Sequence, residues 1–356
     1  MKALPFLLPY LVSSTMIVGY TTNQLWLFRV VGWAWLIVAM FDLANCPETQ
    51  NSHNQQVSYS SWDIALGRFA VRLWMPVQAT IIVCGLSITT WDYLTVEELL
   101  IVTVSVGIAS GMFCIPVAHE LMHKRGRFDK ILAEILMTSV SYTHFCIEHI
   151  HGHHRNVGTA DDPATAQFGE SFYAFYPRTV FGGIVSAWNF EKVRLYRLGA
   201  SACSPRNRMI RYGTSLSIVY AMIFSMFGLL GVGFFAVQSV IAFSMLEAVN
   251  YIEHYGLTRR EMAPGCYERV MPCHSWDSNH LMSNWMLFNL GRHSDHHYRP
   301  TKNYLYLHQW EEAPQLPGGY FMMYLLPLVP PLWRRIMDSG VQAWRRKHGF
   351  VSNADS

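Results

Sequence analysis

Charge is scarce in this sequence. Only 14% of the 356 residues are Asp, Glu, Lys or Arg, against about 25% in an ordinary soluble domain. The stretch 212–246 has no charged residue at all. A chain of this length could form two soluble domains, but it has too little polar surface to cover them. The seven cysteines (Cys46, Cys84, Cys114, Cys146, Cys203, Cys266, Cys273) form no C-x-x-C pair. Several sit inside apolar runs, so they read as free thiols and imply no disulfide framework. There is no internal repeat. The first apolar stretch lacks a small-residue cleavage site and runs into a second, so it is expected to persist as a span.

What is present is apolar: 51% hydrophobic residues, with 12 Trp, 20 Phe and 18 Met. They fall in runs of membrane length, at 4–20, 24–44, 69–91 and 96–118. The uncharged 212–246 stretch would be about 50 Å long as one helix, too long for a hydrocarbon core of about 30 Å. The segment Gly228-Leu-Leu-Gly231-Val-Gly233 supplies a turn, giving spans 212–229 and 233–250. Residues 319–333, short and proline-rich, suit a re-entrant or interfacial segment, and the tail after Arg334 is basic. The expected fold is an all-α integral membrane protein, one polytopic domain over 1–356. Six transmembrane helices would be capped by histidine-rich helical segments at 119–211 and 251–318.

Orientation follows from the basic residues. With the N-terminus inside, the outer loops near 21–23, 92–95 and 228–233 hold no Lys or Arg. Of the 27 basic residues, 12 fall in 119–211 and 11 in 259–347, which places those segments in the cytoplasm. Arg29 is the exception, expected to snorkel or to line a polar cavity. The basic residues follow topology, and no nucleic-acid partner is expected.

Ten of the 16 histidines lie in four short pieces: His119-Glu120-Leu-Met-His123, Glu148-His149-Ile-His151-Gly-His153-His154, Glu253-His254 and Arg292-His293-Ser-Asp295-His296-His297. Neutral imidazole is the commonest metal ligand, and residues i and i+4 share a helix face. His119 and His123 point one way. So do His149 and His153, with His154 one residue round, and so do His293, His296 and His297. His254 adds one more. Nine imidazoles are too many for one ion and fit two. Glu120, Glu148, Glu253 and Asp295 are candidates to hold ligand rings from behind. His144 and His151 are off the pattern and are read as non-ligands. His280 is ambiguous, and His53, His274, His308 and His348 are expected to be ordinary surface histidines.

Imidazole suits zinc, copper, iron and nickel, so ligand type alone does not name the metal. His119-Glu120-Leu-Met-His123 literally matches the H-E-x-x-H of zinc metalloproteases, with the Glu as general base. That reading needs three ligands and leaves six patterned histidines without a role. A metal transporter would want ionisable ligands within its spans, which are nearly free of them.

The motifs resemble the membrane-bound non-haem di-iron family of fatty-acid desaturases and alkane hydroxylases, more narrowly the alkane 1-monooxygenases. The matching stretches are HELMHK at 119–124, EHIHGHHRNVGTADDPATA at 148–166, NYIEHYGL at 250–257 and SNHLMSNWMLFNLGRHSDHHYRP at 278–300, with APQLPGGY at 313–320 and PPLWRRIMD at 330–338. The resemblance runs from about residue 110 to residue 340; the first 100 residues match in hydropathy alone. It implies two iron ions held by His119, His123, His149, His153, His154, His254, His293, His296 and His297, the same nine. It implies O2-dependent terminal hydroxylation of medium- or long-chain n-alkanes taken from membrane lipid, in a bacterial inner (cytoplasmic) membrane. The chain has no flavin, NAD or P-loop signature, so electrons must come from another protein. The resemblance makes that donor rubredoxin, reduced by rubredoxin reductase. Hydroxylation of an aromatic or terpene methyl group, or lipid desaturation, would use the same iron chemistry. Trp26, Trp33, Trp35 and Trp74 are candidates for closing the far end of an apolar substrate tunnel, although aromatic residues in spans also face lipid or pack.

Overall fold

The computed structural model describes residues 2–45 and 58–350; His53 and Cys46 lie outside them. It is mostly helical. Five helices are long and apolar enough to cross a membrane: α1 (Leu4–Thr21), α2 (Leu25–Ala44), α3 (Ser61–Ile88), α4 (Val96–Met122) and the long Arg208–His254 helix. Between and after them come α5 (Arg127–Thr138) and α6 (Phe172–Arg197), so Arg208–His254 is α7; α8 (His293–Tyr298) and α9 (Pro330–Lys347) follow. Among the described residues the β-structure is a small hairpin, Glu261–Ala263 with Cys266–Tyr267, and an isolated bridge between Asp277 and Gln315. The six described cysteines are free.

Local sequence sets the helix ends. Ser60 accepts from the Asp63 N–H while the Asp63 carboxylate accepts from Ser60, a capping box that starts α3 eight residues before its apolar run. Thr95 and Glu98 do the same for α4. Ser171 caps α6.

Helix α7 is not straight. Gly228 has φ 65° and ψ −162°, a region essentially confined to glycine. Tyr220 and Phe235 would be about 22 Å apart along a continuous helix, yet their rings stand 5.3 Å apart. The Ser141 hydroxyl meets both the Tyr220 hydroxyl and Ser239 Oγ. The chain therefore doubles back at Gly228. Its returning arm packs tightly on α4: a Cβ on Gly107 would lie 2.7 Å from Ile241, and one on Gly111 2.8 Å from Met245 Sδ.

Arg29 is exposed and pairs with Glu97 at the mouth of α4, 2.8 Å away. The displaced charge is thus neutralised at a rim by a residue 68 positions on. The 319–333 segment divides: Tyr320, Phe321 and Met323 are buried, while Leu325, Leu328 and Val329 are exposed.

Candidate metal centre

Two interruptions of α-helical geometry position the histidines. Within α4, Ser110–Cys114 is a π-helical turn, and α-helix resumes at Ile115 with Pro116 in its first turn. The bulge turns the following residues round the axis, and His119 and His123 come off this reset segment. The second interruption is His149–His153, again π-helical, between short α-turns at Phe145–Glu148 and His154–Asn156.

The nine histidines converge as two groups, each with ring nitrogens within 4.8 Å of one another. The first is His119, His123, His149, His154 and His296; the second is His153, His254, His293 and His297. His149 therefore partners His154, five positions on, and not His153 as α-helical spacing predicted. The π-turn is the reason. The fourth motif is split as well, with His296 in the first group and His293 and His297 in the second. Asp277 anchors this last piece by accepting the Ser294 N–H and hydroxyl, each at 2.7 Å.

The donor set fits metal ions. The Nε2 atoms of His149 and His296 each lie 3.0 Å from Nε2 of His154. In the second group, His297 Nε2 lies 3.2 Å from His153 Nε2 and 2.9 Å from His293 Nε2, and His293 lies 3.2 Å from His254. A ring nitrogen has one N–H or one lone pair, so His154 and His297 cannot bond both neighbours well. Ligand nitrogens about 2.1 Å from a common ion and at right angles are about 3 Å apart, which is the spacing seen. Nε2 of His119 and of His123 are buried and have no hydrogen-bond partner among the described residues, as nitrogens reserved for an ion would be. Burial holds His149, His154, His293, His296 and His297 well below the usual imidazole pKa, so their lone pairs are free at neutral pH.

Of the acidic neighbours, Glu253 stands against the centre: Oε2 lies 3.1 Å from His293 Nε2, and Oε1 accepts from the Tyr320 hydroxyl at 2.7 Å. The other three have partners elsewhere. Glu120 pairs with Lys124 and accepts the Tyr304 N–H, so it is not poised as the general base of a protease. Glu148 meets Ser186 at 3.5 Å. Asp295 holds Lys302, the His308 N–H and the Trp310 indole.

Sequence reasoning missed Asp162. Its Oδ2 lies 2.9 Å from His153 Nδ1 and accepts from the Thr165 hydroxyl at 2.6 Å. Burial alone would raise this carboxyl's pKa; nearby His153 and His254 and the bonds from His153 and Thr165 bring it below the usual value. The one signal was the Asp-Asp-Pro turn after the second motif.

Among the other histidines, His151 is exposed. His144 lies edge-on to the Tyr142 ring, and His280 is held by Ser278. His308 and His348 are half-buried. His274, expected at the surface, is instead buried: it accepts the Met271 N–H and lies 3.3 Å from Glu268, because the turn that carries it packs under α9 near Trp344.

A small cavity of about 20 Å³ lies where the two groups meet. His119, His149, His293 and Glu253 form its polar side; Ile115, Phe145, Leu246, Val249 and Leu290 form its apolar side. None of the four tryptophans lines it. Trp26 and Trp33 are exposed on the outer face of α2. Trp35 packs on Phe321 and Tyr324, and the fully buried Trp74 packs between Tyr10 and Phe113.

The fatty acid desaturase family model matches residues 98–326, which takes in every one of these histidines. The alkane 1-monooxygenase of Acinetobacter baylyi is 36% identical over 306 residues, 86% of this chain and 74% of that protein. Alkane 1-monooxygenase 2 of Alcanivorax borkumensis is 43% identical over 242 residues, 68% of this chain and 63% of that protein. Alkane 1-monooxygenase 2 of Pseudomonas aeruginosa is 42% identical over 257 residues, 72% and 67% of the two chains. With two buried histidine groups meeting under an apolar wall, and similarity of this extent, the chain belongs to the fatty acid desaturase family, on its alkane 1-monooxygenase branch.

Proposed function

We propose that the chain converts n-alkanes to primary alcohols with O2 and electrons from rubredoxin, at two iron ions held by the nine histidines. The observation that carries this reading is the cavity where both histidine groups share a wall with Ile115, Leu246 and Val249. A C–H bond with no polar handle can be brought to a metal pair only by such a surface. When bound, the two irons supply the O2 chemistry.

The chain's own residues do the rest. Ile115, Leu246 and Val249 press on the end of the hydrocarbon and keep bulk water out. Asp162 fixes the ring of His153, and the Tyr320 hydroxyl fixes Glu253. We read the doubled α7 as two spans, making six in all, with the histidines at the cytoplasmic ends. Medium- or long-chain alkanes would then reach the cavity from the bilayer.

Electrons from a separate donor need a short path. His123 and His154 are the two half-buried ligands, and the exposed Arg125, Arg127 and Arg155 lie beside them in sequence. That face suits an acidic donor better than Arg259 and Arg260, which already bind the Arg155 and His348 carbonyls.

The test is expression with rubredoxin and its reductase in cells that lack alkane oxidation. The cells are fed octane, hexadecane, xylene and a labelled fatty acid, and products are identified by gas chromatography. 1-Alkanols are expected. Methylbenzyl alcohol or unsaturated acid without any alkanol would overturn the reading.

A further inference from the structure

Three spaces lie in a row from the surface to the metal centre. The outermost is a groove of about 1350 Å³ between residues 150–163 and α6, whose walls include Pro163 and Ser186. Behind Pro163 is a cavity of about 10 Å³ walled by Tyr142, His144, Glu148, Thr179, Glu247 and Asn250. Behind Phe145 and Asn250, which line both, is the cavity at the histidine groups. The inner two are each close to the size that holds one water, and their walls offer it polar partners.

The middle space is polar in an apolar place. Glu247 is buried in the returning arm of α7, between neighbours such as Leu246 and Val249. Its carboxylate accepts from the Tyr142 hydroxyl at 2.7 Å, the Thr179 hydroxyl at 2.8 Å and Asn250 Nδ2 at 3.1 Å. No basic side chain pairs with it among the described residues. A buried carboxyl that holds neither a ligand ring nor a cation is costly unless it has another use.

We propose that this row is the proton path to the metal centre, with Glu247 as the group that holds and passes the proton. The proposal rests on the monooxygenase reading. Hydroxylation consumes protons: R–H + O2 + 2e⁻ + 2H⁺ gives R–OH + H2O. One oxygen atom enters the new C–O bond, the other leaves as water, and the donor protein supplies both electrons. Each proton passes from Glu247 past Asn250 into the inner cavity, and Glu247 is reprotonated from the groove side. Tyr142, His144, Glu148, His153 and Tyr176 are the titratable groups near Glu247 from the neighbouring segments, and Asn250 and Glu253 follow it on its own helix.

The experiment uses the full-length, iron-loaded protein in nanodiscs with rubredoxin, its reductase and octane. Wild-type octanol formation tests the monooxygenase reading; the variants test the path. Glu247→Gln keeps the shape and an acceptor but cannot carry a proton. It is expected to keep its iron, to lose about tenfold or more of its turnover, to release more H2O2 per O2 consumed and to show a larger solvent isotope effect. Glu247→Asp should recover much of the loss. Ser244→Ala removes a 2.6 Å bond to Tyr176 in the same helix contact, off the path, and should stay within about twofold of wild type. Coupled turnover of Glu247→Gln within about twofold of wild type, or an equal loss in Ser244→Ala, would overturn the proposal. If Glu247→Gln does not assemble, Asn250→Leu closes the shared wall with Glu247 in place. The same rise in H2O2 and isotope effect is expected there, and unchanged coupling would overturn the proposal just as surely.

Discussion

The two histidine groups sit side by side and are built differently. The first has five rings, no carboxylate in contact among the described residues, and two members, His123 and His154, that are half-buried. The second has four rings, all buried, with Asp162 behind His153 and Glu253 beside His293. One group is rich in nitrogen and close to the surface; the other is short of nitrogen, deep and reinforced by carboxylates. Their sequence origins differ too. His119 and His123 serve only the first group and His254 only the second, whereas the 149–154 and 293–297 motifs each contribute to both. The two groups are therefore mechanically joined, and a shift in either shared motif moves histidines of both.

The comparison is broken most directly by removing one ring from each side. His293→Ala leaves the second group three nitrogens and frees Glu253 from its contact. Alcohol formation should fall by about a hundredfold or more, with iron dropping from two ions per chain toward one. His123→Ala leaves the first group four nitrogens and should keep more of its iron. Iron analysis of the purified variants checks both. Equal iron loss from the two would show that the extra nitrogen in the first group carries no advantage.

Asp162→Asn sharpens the same contrast at smaller cost. The amide still fits, but it no longer favours the His153 tautomer that presents Nε2 to the ion. Loss of such an outer partner lowers metal affinity by about 10- to 100-fold. Titration with a chelator should therefore strip one ion early from this variant while the other is held as in wild type. Both ions leaving together would mean that the groups do not bind independently.

Much of this could be read from the sequence, and what could not has physical causes. The doubled helix followed from an uncharged run too long for one crossing, with glycine in its middle. That the nine histidines would come together followed from their spacing. Their division into two groups did not, because that depends on a π-turn at His149–His153, and a one-residue change of pitch has no sequence signature of its own. Asp162 was hidden because its partner is nine residues away across a turn, and Arg29 because its partner lies in another helix. The surroundings of the four tryptophans were not legible either. Whether a side chain faces lipid, core or cavity depends on helix rotation, which a hydropathy run does not record.

The apolar wall gives a smaller effect, shared by both groups. Val249→Phe places a ring at the cavity and should shift the product profile toward shorter alkanes, at about 1–3 kcal/mol per excluded methylene. Trp33→Ser, on the exposed face of α2, should leave the profile unchanged. Competition between octane and hexadecane, read by gas chromatography, checks both. A shift in Trp33→Ser with none in Val249→Phe would move the hydrocarbon end from the metal cavity to the lipid face.

The smallest expected effect lies between the two groups in sequence and outside both in space. His151 is embedded in the second motif, with ligands two residues to either side, yet its side chain is exposed and lines the outer groove beside Phe190. The π-turn sends His149 and His154 to one group and His153 to the other, and leaves His151 on the far side of the backbone. Removing it takes no nitrogen from either group and no bond from Asp162 or Glu253. His151→Ala should therefore keep both irons and stay within about 0.5 kcal/mol of wild type in stability, as expected for a surface position. Iron content and alcohol formation measured beside His149→Ala decide the matter. If His151→Ala lost iron as His149→Ala does, the π-turn would not divide this motif as described, and the contrast between a five-ring and a four-ring site would have to be redrawn.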